Sequence, residues 1–124
     1  MIEAYFSKLE DALRDFPGIR SYALTRKVYN LQQGVIGGKI VFEDVYSLEF
    51  IEVVDAGRDC KLKYRYQYMD EAQNLIFRCD NVLHHPLAHL GHHHKHTPGG
   101  VAESTGPDLA IVLFEISQIM HKKE

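Results

Sequence analysis

Seven of the eight histidines in this chain fall within Arg78–His96, the run Arg-Cys-Asp-Asn-Val-Leu-His-His-Pro-Leu-Ala-His-Leu-Gly-His-His-His-Lys-His. Histidine titrates near neutrality, with an unperturbed pKa of about 6.5, and its neutral ring is a common metal ligand. Two kinds of chemistry follow. In acid–base catalysis on a phosphodiester, one ring takes the 2′-hydroxyl proton and another protonates the leaving oxygen, each step contributing roughly 10²–10⁴-fold. A lysine or arginine then neutralises charge on the phosphoryl oxygens, and Lys95 and the arginines are candidates. In metal chemistry the same nitrogens act as ligands, but HExxH and cysteines at zinc-finger spacing are both missing from the sequence. A third reading is structural, with rings stacked and bonded to backbone. His89 and His92, beside Leu87, Ala88 and Leu90, fit it, as does His121 near a helix C-terminus.

The surrounding charge favours an anionic ligand. The net charge is −3, yet residues 61–96 carry five Lys/Arg against three Asp/Glu, while residues 1–60 carry seven against ten. The basic segment is therefore the histidine segment, and protonation of the rings makes it more positive. Alternation in Lys61–Tyr68 sets Lys61, Lys63, Arg65 and Gln67 on one face and Leu62, Tyr64, Tyr66 and Tyr68 on the other. Lys61 and Lys63 are expected to be solvated, and Tyr66 to pack in the core. Arg78 and Asp80 share a face of the next strand. If the two strands form a hairpin, Arg65 and Arg78 come close and need an anion between them: a phosphate, or Asp80 or Glu52 as counter-ion. Glu52 falls on the apolar face of its own segment, so it is expected to pair with Arg65, Arg78 or a histidine.

These residues need a scaffold, and the patterning suggests one. Ile2, Phe6, Leu9, Leu13 and Phe16 recur at helical spacing, which predicts an amphipathic helix over 2–15, stopped by Pro17-Gly18. The segments 21–31, 35–42, 46–54, 62–68 and 74–79 are rich in Val, Ile, Tyr and Phe and separated by short turns, which predicts an antiparallel meander. Ser104-Thr105-Gly106-Pro107-Asp108 opens a final helix from Leu109 to about Met120, with Pro107 in its first turn. Its stripe Leu109, Val112, Leu113, Ile116, Ile119 and Met120 is expected on the sheet, leaving Ile111 and Phe114 off-centre, where they suit burial or a docking partner. The expected architecture is α+β: one domain over 1–124, about five antiparallel strands, and an N-terminal and a C-terminal helix packed on the sheet. A membrane-length apolar run and a secretion-type N-terminus are not seen in the sequence, so the expected location is cytoplasmic, with Cys60 and Cys79 reduced.

Four ordered motifs carry a family resemblance: Tyr64-Arg65-Tyr66-Gln67-Tyr68, Leu75-Ile76-Phe77-Arg78-Cys79-Asp80-Asn81, His84-His85-Pro86 and His93-His94-Lys95-His96. Together they resemble the TumE family of toxin components of toxin–antitoxin systems. The sequence departs from that pattern at Cys79, where tyrosine is usual, at Gln67, where histidine is frequent, and at Val82-Leu83, which replaces Ala-Pro. The triple run His92-His93-His94 also leaves open which ring aligns with the motif. The resemblance implies a cognate antitoxin, often a helix-turn-helix protein. Joined to the basic histidine segment, it yields the expectation of a type II toxin acting as a metal-independent endoribonuclease on an RNA substrate. By analogy, His84, His85, His93 and His96 with Asp80 are the catalytic candidates, Arg65, Arg78 and Lys95 bind phosphate, and Asn81 and Glu52 orient. No metal or other cofactor is assigned, no membrane is involved, and a homodimer is compatible with the chain. The alternatives are a non-enzymatic module that binds protein or nucleic acid, and a metal-dependent nuclease or hydrolase built on the histidine cluster.

Overall fold

A computed structural model describes residues 1–58, 60–82 and 93–123. Helix α1 (Ile2–Asp15) leads into strands β1 (Ile19–Val28), β2 (Gln33–Phe42), β3 (Ser47–Asp55), β4 (Cys60–Met69), β5 (Leu75–Asp80), β6 (His94–Thr97) and β7 (Gly100–Glu103), and helix α2 (Leu109–Lys122) closes the order. The strands form one antiparallel sheet in sequence order, with every strand beside its predecessor. Short turns between β-rich segments favour such a meander. The sheet has seven strands rather than about five. The two extra are the four-residue pair β6 and β7, which lie in segments read from sequence as loop.

One face of the sheet carries the apolar core and both helices. Ile2, Phe6, Leu9 and Leu13 of α1 and Leu109, Val112, Leu113 and Ile116 of α2 are buried in a cluster with Ile36, Leu48, Phe50, Tyr64, Tyr66, Tyr68 and Phe77. Pro17 cannot extend α1, and Gly18 at φ +97° takes the left-handed turn into β1. At the start of α2 the Asp108 side chain accepts a hydrogen bond from Ile111 N at 2.8 Å, a cap worth about 1 kcal/mol. Pro107 thus precedes the cap residue instead of occupying the first turn. Ile111 and Phe114 remain exposed on α2. Cys60 is exposed, Cys79 is buried, and neither forms a disulfide.

A β-bulge revises the reading of β4. Lys63 pairs with Val53, whereas Lys61 pairs with Val54, so Leu62 is an extra residue and the alternation reverses behind it. Lys61 therefore turns to the tyrosine side rather than standing solvated with Lys63. Its ammonium donates to Tyr66 Oη at 3.0 Å and to the Pro107 carbonyl, and it lies 4.7 Å from the Tyr64 ring centroid. Burial holds its pKa below the usual lysine value.

Candidate functional site

The opposite face of the sheet carries the polar residues in two adjacent rows. The register runs Thr25, Gly37, Ile51, Arg65, Asp80, His94, Glu103 across all seven strands. The next row is Ala23, Lys39, Glu49, Gln67, Arg78, His96, Val101. Residues two apart on a strand share a face, so both rows look the same way. Arg65 and Arg78 are diagonal neighbours, and Asp80 is the register partner of Arg65 and shares a strand with Arg78.

At the β5–β6 end of these rows four side chains converge. Arg78 Nε donates to Asp80 Oδ2 at 3.2 Å, His96 Nε2 lies 3.3 Å from the same oxygen, and His94 Nδ1 lies 3.8 Å from Asp80 Oδ1. The two imidazoles meet edge to face, with centroids 6.2 Å apart. Asp80 is 2% exposed, His94 0% and His96 9%. Arg78 is about one-third exposed and Arg65 is exposed, so the arginines form the solvent side of the cluster. Beside Arg65 a shallow groove runs along the same face, lined by Thr25, Gly37, Lys39, Glu49 and Ile51. The groove exists because Gly37 sets no side chain between Thr25 and Ile51 in the register row. A second hollow, lined by Phe16, Gly18 and Met120, belongs to the helical side.

The other sequence-derived candidates are placed elsewhere. Lys95 alternates to the helical face, where Nζ pairs with Glu115 Oε2 of α2 at 2.6 Å over the Phe77 ring. It does not join His96. Asn81 is tied to backbone: Oδ1 accepts from Tyr64 N at 2.9 Å, and Nδ2 donates to the Leu62 carbonyl at 3.2 Å, beside the bulge. Glu52 is fully buried, and the expected arginine or histidine partner is replaced by two hydroxyls, those of Tyr5 and Tyr66, the latter at 2.7 Å. Alternation on β3 carries Glu52 to the helical face, so the arginines of the other face cannot reach it. Burial first, and then the Glu52 charge, push the Tyr66 hydroxyl well above the usual tyrosine range. His93 precedes β6; its Nδ1 bonds to Tyr64 Oη at 2.7 Å, with the rings stacked. Gly106, at φ +74°, lies against that ring, and a Cβ there would come 2.8 Å from His93 Cε1. His84, His85, His89 and His92 lie outside the described residues.

His94 is the residue that sequence reasoning passed over. The signal was available: within a strand, His94 and His96 share a face while His93 and Lys95 do not. The triple histidine run hid where the strand begins. Asp80, His94 and His96 each present a ligand-type atom, all within 4.8 Å of one another.

Among the described residues no helix is long and apolar enough to cross a membrane. Neither the curated proteins nor the solved structures contain a match to this chain. The family model for the toxin TumE matches residues 9–122, nearly the whole length, and takes in the two-row polar face, the second half of α1 and all of α2. The chain therefore belongs to the TumE family, the toxin side of toxin–antitoxin systems.

Proposed function

We propose that this protein is the toxin of a type II system, that it acts in the cytoplasm, and that it is an endoribonuclease centred on Asp80, His94, His96 and Arg78. The observation that carries this reading is the convergence of a buried carboxylate, two imidazoles and a guanidinium at one end of a polar sheet face. RNA suits the site because its phosphodiester needs cationic neutralisation and a proton acceptor close to the 2′-hydroxyl. Arg65 and Arg78 present planar forks to phosphate, and Lys39 lies in the groove beside its register partner Glu49. His96, oriented by Asp80 at 3.3 Å, moves the proton. Asp80 keeps the imidazole aligned and balances its charge when it is protonated. His93, held by Tyr64, and Asn81, held by backbone, position the ends of β6 and β5.

The deep burial of His94 and Asp80 favours a second reading, in which the cluster is a structural ion-pair network and the protein acts by binding a partner. Incubating purified, antitoxin-free protein with total RNA separates the two. Cleavage that is lost in folded His96→Gln supports the nuclease. A folded wild-type protein that leaves RNA intact overturns it in favour of the binding module.

A further inference from the structure

We propose that Asp80, His94 and His96 form a binding site for a divalent transition-metal ion of the zinc, cobalt or manganese class. This rests on the nuclease reading of the same cluster and changes the roles within it: with an ion bound, His96 Nε2 is a ligand rather than the proton carrier, which departs from the metal-free expectation drawn from sequence. Three adjacent strand positions supply the donors: Asp80 on β5, and His94 and His96 two residues apart on β6, with Asp80 and His94 in register. Backbone pairing therefore fixes all three side chains on one face before any ion arrives.

The three donor atoms lie within 4.8 Å of one another, close enough to converge on one ion. Ligand atoms about 2.1 Å from one ion lie roughly 3–3.5 Å from each other at tetrahedral or octahedral angles. His96 Nε2 is 3.3 Å from Asp80 Oδ2, and His94 Nδ1 is 3.8 Å from Asp80 Oδ1. The second distance is longer than an N–H···O bond, for which about 2.7–3.2 Å is usual, and a few tenths of an ångström longer than a ligand pair, so an ion would draw these two atoms together. The Asp80 Oδ1 atom, buried, accepts no hydrogen bond among the described residues. Arg78 Nε holds the carboxylate through Oδ2, as an outer partner that orients a ligating group. A donor set of two imidazole nitrogens and one carboxylate oxygen selects first-row transition ions over magnesium or calcium, which prefer all-oxygen shells.

The charge balance links the site to its surroundings. One carboxylate, one guanidinium and a dication leave the cluster at net +2, flanked in the register row by Arg65 on one side and Glu103 on the other. Such a centre attracts an anion, and a phosphate oxygen is a suitable further ligand. Coordination positions left by three protein donors are also where a water loses a proton more easily.

Cobalt(II) titration of the metal-stripped full-length protein tests the site. Imidazole-rich tracts offer transition ions ready ligands, so the reference protein carries His84, His85, His89 and His92 all replaced by alanine. Expected is one cobalt per chain, with visible d–d absorption, and at least a tenfold loss of affinity on adding Asp80→Asn or His96→Gln to proteins whose circular dichroism is unchanged. Equal cobalt binding with and without those substitutions, or no stoichiometric binding by the folded reference, overturns the site. If His96→Gln fails to fold, Asp80→Asn, which keeps size and shape, supplies the comparison. The two readings fail separately. Cobalt binding without RNA cleavage leaves the metal site and removes the nuclease. Cleavage that persists in EDTA, from a protein that binds no cobalt, does the reverse.

Discussion

His94 and Asp80 face each other across β5 and β6 as a register pair, with 3.8 Å between Nδ1 and Oδ1, and Arg65 is the next residue in the same row. The backbone ladder thus delivers an imidazole, a carboxylate and a guanidinium side by side. Their proximity is a consequence of strand pairing, not of loop conformation.

Asp80→Asn removes the charge that Arg78 and both imidazoles address while keeping the shape. Expected is a loss of growth inhibition of at least a hundredfold in inducer response and, because hydrogen bonds to charged groups contribute about 1.5–3 kcal/mol, a stability loss of that order. Urea unfolding beside a growth assay measures both. Undiminished toxicity would rule the carboxylate out of the reaction.

His93→Ala should behave differently from His96→Gln. Its ring is bonded to Tyr64 and packed on Gly106, on a path separate from the Asp80 cluster. A stability loss of about 1 kcal/mol with cleavage retained within tenfold is expected. Abolished cleavage by a folded His93→Ala protein would place that ring in the reaction instead.

Glu52→Gln tests a structural carboxylate. The side chain joins α1 to β4 by accepting from Tyr5 and Tyr66. The substitution should lower the urea midpoint by the equivalent of about 1.5–3 kcal/mol and leave cleavage per folded molecule unchanged. Cleavage lost without a change in stability would return Glu52 to the active centre.

The two thiols should separate cleanly. Burial pushes the Cys79 thiol up to about 11, whereas Cys60 is exposed. In native protein at pH 8 a thiol reagent should modify one cysteine rapidly, and in denaturant two. Fast modification of both in the native state would show that the tyrosine-lined core opens.

Acid unfolding has a named contributor at the end of β3. A hydrogen bond from Gln33 Nε2, helped by the backbone amides of Arg58 and Gly57, holds the Asp55 carboxyl below the usual carboxylate range. A carboxyl depressed in the folded state stabilises above its unfolded pKa, near 3.9, and that contribution is lost as pH falls through the folded value. Gln33→Ala should therefore shift the acid-unfolding midpoint to higher pH, read by circular dichroism. An unmoved midpoint would remove Gln33 from the acid response.

Much of this fold was legible in the sequence. The limits of α1 followed from apolar spacing and Pro17-Gly18, and the meander from β-branched runs between short turns. Three features were hidden for physical reasons. The bulge at Leu62 leaves no mark in composition, so Lys61 read as solvated when it packs on Tyr64 and Tyr66. Glu52 takes Tyr5 as a partner from 47 residues away, a contact that exists only once α1 lies on the sheet. The strands β6 and β7 are four residues each and carry histidine, lysine and glycine rather than β-branched runs. Asp80, Arg78 and Arg65 were nonetheless identifiable as neighbours from alternation on two paired strands, whereas His96 entered through the family resemblance. His94 needed the start of β6 to be known.

The most direct measurement is RNA cleavage by the purified, antitoxin-free protein, beside His96→Gln and Glu52→Gln, with folding checked by circular dichroism. The expected result is cleavage by wild type and by folded Glu52→Gln, and none by folded His96→Gln. Intact RNA with folded wild type, or equal cleavage by His96→Gln, would contradict a reaction centred on Asp80, His94 and His96.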